Sequence, residues 1–328
     1  MAENLQGKKI LFVSPEFFGI DRSIIKVLEA KGASVQWVNE RSINSALSRA
    51  INSVSPMFFY AQSNRYFRNV VENVKDDIDI ILVIKGEMIS AKTIALLRSR
   101  FKNAKLNLYL FDSVKNVKGI LRKVSLYDRV MSFEPGDCEK YGFEFRPLFC
   151  DFEKTQIGQI EEEKYDICFY GTMYGDRFHI VNQVREYCND NNMKFYSFCY
   201  LRGRFMKIYY WFTNKGFRKM DKQMLSFVPK PTAELSKVVR SSNVVLDAND
   251  IHQQGLTIRT IETLVSGKKM ITTNKDIVNY DFYNPSNILI IDRDNIQIDR
   301  SFFEREFVPI EPKVLEKYTA EGWVEDVF

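Results

Sequence analysis

The sequence has few of the residues that build metal centres or disulfide frameworks. Only two of its 328 residues are histidines, His179 and His252, which is too few for a histidine-rich metal site. Its five cysteines are an odd number without a close metal-type pair, and they fit a reducing compartment better than a disulfide scaffold. We therefore expect a chain that needs no bound metal and forms no disulfide framework.

Long apolar stretches are lacking as well. No run of about 18 apolar residues exists, so no transmembrane helix is expected. Residues 1–9 lack the apolar core of a signal peptide. An apolar content of 45% without a long biased tract indicates a folded protein, and the length is sufficient for two domains of ordinary size. These features predict a soluble, cytoplasmic protein.

Strand and helix patterns alternate along both halves of the chain. Residues 9–14 and 35–38 have strand patterns on either side of a helical pattern over residues 20–31, and this βαβ opening favours a parallel sheet. The further predicted strands are residues 78–84, 106–111, 129–133, 166–170, 194–198, 244–247, 269–272 and 288–291. The further predicted helices are residues 91–101, 177–191, 234–240, one around Arg259, 313–317 and 321–326. We expect two sheets, joined by a polar linker around residues 149–164 that contains three glutamates at 161–163.

Residues 254–274 carry the strongest functional signal. After Gln254, Gly255 lets the backbone approach a ligand closely, and Thr257 can cap a short helix whose free N–H groups suit a diphosphate. Arg259 and Glu262 lie three residues apart and can share one helix face. An arginine for phosphate and a carboxylate for sugar hydroxyls would suit a nucleotide-sugar site. The spacing fits equally well an ordinary amphipathic helix with a surface Arg–Glu pair.

This segment resembles the donor-binding segment of bacterial GT-B glycosyltransferases. The pattern is Gly-Leu-Thr-x-Arg-x-x-Glu-x-Leu-x-x-Gly-Lys-Lys-x-Ile-Thr, and the likeness is strongest to the CgeB-like and lipopolysaccharide- or capsule-biosynthesis proteins. Similar stretches recur in the same order at residues 108–116, 127–134, 166–172 and 280–283. The resemblance implies that Glu262 holds the donor ribose and that nearby basic groups hold the diphosphate.

The resemblance also implies a fold. It is the GT-B form of α/β architecture, two Rossmann-like domains with a cleft between them. An N-terminal acceptor-binding domain would span residues 1–150, and a C-terminal nucleotide-sugar-binding domain would span residues 165–310. The helices of residues 311–328 would cross back to the first domain, where Trp323 would pack.

Several further residues are candidates for donor contacts. Gly171, Thr172 and Arg177 follow a predicted strand and open a helix, where glycine permits a tight turn near a phosphate, although a plain strand–helix turn fits as well. The resemblance to GT-B proteins, in which the equivalent loop contacts the nucleobase, makes Val228 a candidate for that contact by position alone, and a proline-stiffened loop fits as well. The full set of candidate donor-binding residues is Gly171, Thr172, Arg177, Val228, Gln254, Gly255, Thr257, Arg259 and Glu262.

In the first half, polar loops follow the predicted strands, at the edge where open α/β sheets bind ligands. An inverting transfer needs a general base, and Glu16 and Asp112 are the carboxylates best placed for that role. Lys85 and Asn116 are candidates for acceptor binding. Near the other end of the chain, residues 292–294 imitate an Asp-x-Asp metal motif, but a turn at the end of a strand is the better interpretation.

Residues 201–222 are strongly basic and rich in aromatic side chains. The segment contains seven basic residues and one acidic residue, Asp221, so its net charge is 7 − 1 = +6. The whole chain carries a net charge of +5. Such a segment suits an anionic membrane surface. A helix packed on its own domain by its aromatic side chains would have the same composition. Nothing else in the chain resembles a nucleic-acid-binding module.

Together these features predict a metal-independent glycosyltransferase at the inner face of the plasma membrane. It would move a sugar from a nucleotide-sugar donor to a polysaccharide or lipid-linked oligosaccharide, as in the synthesis of O-antigen or capsule. The first alternative, an NAD(P)-dependent oxidoreductase, would need a full Gly-x-Gly-x-x-Gly fingerprint, which neither candidate turn supplies. The second alternative is a non-catalytic two-domain protein that binds a small molecule.

Overall fold

The computed structural model describes residues 4–16, 19–41, 60–150 and 164–328. The chain forms two compact units: the first comprises Met1–Asp151 with Lys317–Phe328, and the second comprises Phe152–Glu316. Most of the predicted linker, including its three glutamates, lies outside the described residues.

Both units are built from parallel strands with helices between them. The strands are β1 Lys9–Ser14, β2 Ser34–Asn39, β3 Ile80–Ile84, β4 Lys105–Leu110, β5 Arg129–Ser132, β6 Glu144–Phe145, β7 Tyr165–Thr172, β8 Phe195–Tyr200, β9 Leu225–Ser226, β10 Ser242–Asp247, β11 Lys269–Thr272 and β12 Ile288–Ile290. The helices are α1 Ile20–Ala30, α2 Tyr60–Asn73, α3 Ala91–Arg100, α4 Pro135–Tyr141, α5 Arg177–Asp190, α6 Arg204–Thr213, α7 Lys215–Lys219, α8 Thr232–Arg240, α9 Ile258–Val265, α10 Ser301–Glu304, α11 Pro312–Glu316 and α12 Ala320–Val327. The prediction of an α/β fold with two sheets is confirmed.

The first unit has a six-stranded sheet in the order β2-β1-β3-β4-β5-β6, with every neighbouring pair parallel. All five residues of β3 are buried, as expected for a strand covered on both faces. The strand order reverses between β1 and β3, so the carboxyl ends of these two strands flank a topological switch point.

Helix α12 packs within the first unit. Trp323 is fully buried, and its ring lies 4.8 Å from that of Tyr109 and 5.1 Å from that of Phe149. On the surface, Lys31 of α1 forms an ion pair with Glu325 at 2.6 Å. Two stretches distant in sequence therefore share one hydrophobic core.

The second unit has its own six-stranded parallel sheet, in the order β12-β11-β10-β7-β8-β9. Its first strand, β7, lies between β8 and β10, so the strand order reverses between β7 and β10. The loops that leave the carboxyl ends of β7 and β10 lead to α5 and to α9. Both helices therefore begin near a second switch point.

The observed elements differ from the predicted ones at the end of strand β7 and in several short elements. Strand β7 continues through Gly171 and Thr172, which pair with Cys199 and Tyr200, so these two residues lie in a strand and the prediction of a turn there was wrong. Glycine is unfavourable in strands, but β8 is long enough to supply hydrogen-bond partners. Helices α2, α4, α7 and α10 and the two-residue strand β6 were not predicted. Only one narrow stripe of α2 is buried (Ser63, Phe67 and Val71), which explains its weak sequence signal.

Candidate functional site

Arg177 joins two strand ends at the switch point of the second unit. It is the first residue of α5 and is buried. Its Nε donates to the carbonyl oxygen of Ala248, just after β10, at 2.6 Å, and its Nη1 donates to that of Thr172, at the end of β7, at 2.8 Å. The guanidinium also lies 4.2 Å from the centre of the Tyr174 ring. Arg177 is thereby held rigidly where the two strands diverge.

Asp247, the last residue of β10, organises the start of α9. Its carboxylate is fully buried and accepts hydrogen bonds from the hydroxyls of Thr257 at 3.0 Å and Thr260 at 2.6 Å. Thr257 caps α9 by accepting from the backbone N–H of Thr260, as the sequence predicts. The carboxylate also accepts from Arg259 Nη1 at 3.1 Å. One buried anion therefore fixes both the cap and the arginine of this helix.

Arg259 is buried against the sheet. Its side chain is 10% exposed, and its guanidinium lies 4.9 Å from the centre of the Tyr170 ring. The alternative of a surface Arg–Glu pair is wrong, because Arg259 is not at the surface and forms an ion pair with the buried Asp247. Nη2 lies so close to Gly171 that a Cβ there would collide with it. Gly171 thus makes room for the guanidinium.

The two arginines are close enough to repel each other. Burial, and then the charge of Arg259, lower the pKa of Arg177 to about 10. Within the described part of the chain, no carboxylate lies within 4.0 Å of the Arg177 guanidinium, whereas Arg259 has Asp247. Nε of Arg259 is buried without a hydrogen-bond partner among the same residues. This edge of the sheet therefore favours a bound anion, which would relieve the repulsion.

Glu262 lies one turn after Arg259 on the same side of α9. The hydroxyl of Tyr170, near the end of β7, donates to Glu262 Oε2 at 2.6 Å. Burial, and next the charge of Glu262, raise the pKa of Tyr170 well above its ordinary value, so Tyr170 remains a donor. Because Arg259 and Glu262 both contact Tyr170, this ring brings the predicted cation and carboxylate together.

The loop before α9 is anchored from several sides. Arg293 donates to Asp176 at 2.7 Å and to the carbonyl oxygen of Asn249 at 2.8 Å, so it connects the end of the loop before α5 with the start of the loop before α9. Asn274 donates to the carbonyl oxygen of Gln254 at 2.9 Å. Gln254 is exposed and Gly255 is buried. These anchors hold the segment that leads into α9 without any regular structure in it.

Two other sequence candidates can be located in the second unit. Val228 is exposed beyond the edge strand β9, two strands away from β7, and it takes part in none of the interactions around Arg259. Asp292 accepts from the backbone N–H groups of Asp294 and Asn295, so residues 292–294 form a turn, as expected. No group of three or more histidine, cysteine, aspartate or glutamate side chains suited to a metal exists among the described residues.

The first unit brings together two of its four predicted residues. Lys85 Nζ donates to Asp112 at 3.0 Å and lies 3.7 Å from the carboxylate of Glu87. Asn116 is exposed on the loop that follows Asp112. Glu16 is also exposed, and its ion-pair partner, Arg22, is 4.0 Å away. Glu16 thus lies outside the Lys85–Asp112 group of contacts.

Beneath Lys85 lie two buried titratable residues that sequence reasoning missed. Lys123 Nζ donates to the carbonyl oxygens of Gly86 and Ile89, each at 2.7 Å, and burial lowers its pKa to about 8. Glu40 accepts from the backbone N–H of Met88 at 2.6 Å, and burial raises its pKa to about 7. Neither residue belongs to a motif, so no sequence signal indicated them. Asp247 did offer a sequence signal, because it is a carboxylate at the end of an apolar strand.

Comparison with solved structures identifies the fold of this chain. No family model and no curated protein matches the sequence. Among solved structures, the chain is similar to sucrose-phosphate synthase from Thermosynechococcus elongatus (10% identity, TM-score 0.59, covering 98% of this chain and 95% of that one). It is also similar to HepE from Anabaena in complex with UDP and glucose (11%, 0.55, 98% and 95%) and to the lipopolysaccharide outer core galactosyltransferase WaaB (11%, 0.55, 97% and 97%).

The chain has the GT-B fold. This likeness covers nearly all of the chain, so the predicted fold class is confirmed. The more specific likeness to CgeB-like proteins stays a prediction, because no family model matches. No helix in the described part of the chain is long and apolar enough to cross a membrane.

Proposed function

We propose that this protein is a glycosyltransferase that takes a sugar from a nucleotide-sugar donor. The observation that carries the proposal is the pair of buried arginines at the switch point of the second unit. Arg177 has no carboxylate partner within the described part of the chain, and Arg259 opens α9 beside it. Two fixed guanidinium groups and a helix N-terminus suit the diphosphate of a nucleotide sugar.

The donor would bind along the face of α9. Arg177, Arg259 and the first N–H groups of α9 would neutralise the leaving diphosphate, whose negative charge develops in the transition state. Glu262 would accept hydrogen bonds from the ribose, with Tyr170 fixing its orientation. The relative HepE, solved with UDP-glucose as well, supports a nucleotide-sugar donor. Because arginines supply the positive charge here, we propose that the reaction needs no metal.

The first unit would hold the acceptor. Asp112 is a candidate for the general base that an inverting transfer requires, with Lys85 beside it, while Glu16 and Asn116 are exposed on neighbouring loops. We propose as acceptor a glycan or lipid-linked oligosaccharide of a bacterial surface polysaccharide, such as O-antigen or capsule. The relative WaaB, a lipopolysaccharide galactosyltransferase, supports this class. The protein would act in the cytoplasm, at the inner face of the membrane.

A dinucleotide-dependent oxidoreductase is the main rival, because a dinucleotide also carries a diphosphate. The loop between β7 and α5, residues 173–176, contains one glycine, Gly175, and Gly171 belongs to β7. The Gly-x-Gly-x-x-Gly turn that brings a dinucleotide to such a helix is therefore absent from this loop. For this reason we favour the glycosyltransferase over the oxidoreductase.

Ligand-induced stabilisation tests the proposal. We expect one of UDP, GDP, dTDP or CMP, alone or as its sugar conjugate, to raise the melting temperature of the protein. Glu262→Gln should lower the affinity for that nucleotide, measured by calorimetry, about tenfold or more. Glu186→Gln, an exposed glutamate on α5, is the matched control and should bind like the wild type. Stabilisation by NAD(P), or by a free small solute with no response to any nucleotide, would contradict the proposal.

A further inference from the structure

Helix α6 carries an apolar stripe on the side that faces solvent. Phe205, Ile208, Tyr209 and Phe212 follow the spacing i, i+3, i+4 and i+7, which places them on one face of a helix. In a surface helix that face normally packs on the core. Here the exposed fractions of these four residues are 78%, 56%, 52% and 77%, and no residue of α6 is buried.

The opposite side of α6 attaches it to the second unit. The Tyr210 ring lies 4.9 Å from that of Phe178 in α5, and buried Phe217 of α7 meets the same ring edge-on at 5.4 Å. Between the two helices, Asn214 caps α7 and donates to the carbonyl oxygen of Gly175 at 2.7 Å. Helix α6 therefore packs on its own domain through Tyr210, which lies next to Phe217, and the apolar stripe takes no part in this packing.

The stripe is surrounded by positive charge. Residues 201–222 carry seven basic side chains and a single acidic one, Asp221. The carboxylate of Asp221 lies 3.6 Å from Arg185 of α5, outside the segment. The exposed basic residues are Arg202, Arg204, Lys207, Lys215, Arg218 and Lys219. This surface is thus apolar in its centre and cationic around it, and the one carboxylate of residues 201–222 pairs with Arg185 outside the segment.

We propose that residues 201–222 dock on an anionic phospholipid surface, with α6 lying in the plane of the interface. Phe205, Ile208, Tyr209 and Phe212 would enter the boundary between headgroups and acyl chains, while the basic residues contact lipid phosphates. A second copy of the chain would present the same positive charge, so electrostatic repulsion opposes self-association through this face. An anionic bilayer satisfies the apolar and the cationic features together.

This inference deepens the proposed function, on which its purpose rests: the protein would be held where lipid-linked acceptors are. Its evidence is independent, because the vesicle experiment below contains neither donor nor acceptor. Failure to bind vesicles would leave nucleotide binding intact, and failure to bind nucleotides would leave vesicle binding intact.

Vesicle flotation tests the inference. We expect the full-length protein to float with phosphatidylcholine vesicles that contain about 30% phosphatidylglycerol, and much less with phosphatidylcholine alone or at high salt. The double variant F205S/F212S should lower the partition coefficient about tenfold or more. K215Q/K219Q should lower it for the anionic vesicles only. Because all four side chains are exposed, unchanged melting temperatures should show that the variants fold.

The matched control is L121S/L126S, which removes two exposed leucines from the first unit and should float like the wild type. Equal binding to neutral and anionic vesicles, or no binding to either, would overturn the proposal. So would a concentration-dependent dimer in gel filtration that F205S/F212S abolishes, because the stripe would then belong to a second copy of the chain.

Discussion

The two sheets share a parallel topology with an order reversal beside their first strand, but they carry different charged groups at that edge. The second unit has arginines fixed by carbonyl oxygens, aromatic rings and one fully buried aspartate. The first unit has two lysines among three carboxylates, those of Glu40, Glu87 and Asp112. Arginine stays charged at every relevant pH, whereas burial brings the pKa of Lys123 to about 8 and that of Glu40 to about 7. One edge therefore suits a fixed anion, and the other suits hydroxyl groups and proton transfer.

The same substitution at the two edges should give the largest contrast. Asp247→Asn leaves the buried Arg259 without its counterion and should lower the free energy of unfolding by about 3 kcal/mol, because breaking a buried pair is costly. The matched change, Asp112→Asn, removes a carboxylate that is 43% exposed and pairs with Lys85, and should cost less than about 1 kcal/mol. Urea denaturation measures both. Equal losses would remove the distinction between the two edges.

A second prediction concerns pH and the first unit alone. Because the pKa of Glu40 is raised from 4.5 to about 7, the folded state binds a proton that the unfolded state has released between these values. This contribution to stability is complete below about pH 4.5 and is lost as the pH rises through 7. Glu40→Gln should reduce the decrease in the free energy of unfolding between about pH 4.5 and pH 7. The reduction should be no more than about 3 kcal/mol.

The control for this pH effect is Glu139→Gln, an exposed glutamate on α4 of the same unit. It should leave the slope of stability against pH unchanged. A slope that survives Glu40→Gln would show that Glu40 is not its source and would contradict the prediction.

The smallest expected effect returns to the second unit. Gly171→Ala places a Cβ against Nη2 of Arg259, and the guanidinium must shift. We expect about tenfold weaker binding of the nucleotide with little loss of fold, measured by calorimetry. Gly175→Ala is the matched change in the next loop, because no atom lies within 4 Å of a Cβ there. Although it strains a left-handed residue, it should leave nucleotide affinity close to that of the wild type.

Sequence patterns predicted the architecture better than the chemistry. Apolar runs such as β3 and the capped start of α9 depend on nearby residues, so local rules located them. Strand β7 was predicted to end two residues too early, because its last pairs depend on the length of β8. The partners of Arg259 and Lys85 are set by long-range packing. Asp247 lies 12 residues before Arg259, and Asp112 lies 27 residues after Lys85, so no local spacing could reveal these contacts.

The division of the first unit into Met1–Asp151 and Lys317–Phe328 has a consequence for how the protein is made on the ribosome. The residues that surround Trp323, such as Tyr109 and Phe149, are synthesised long before Trp323 itself. The whole second unit, Phe152–Glu316, emerges in the interval and has its complete set of strands. The second unit can therefore complete its folding during translation, before the first unit has all of its residues.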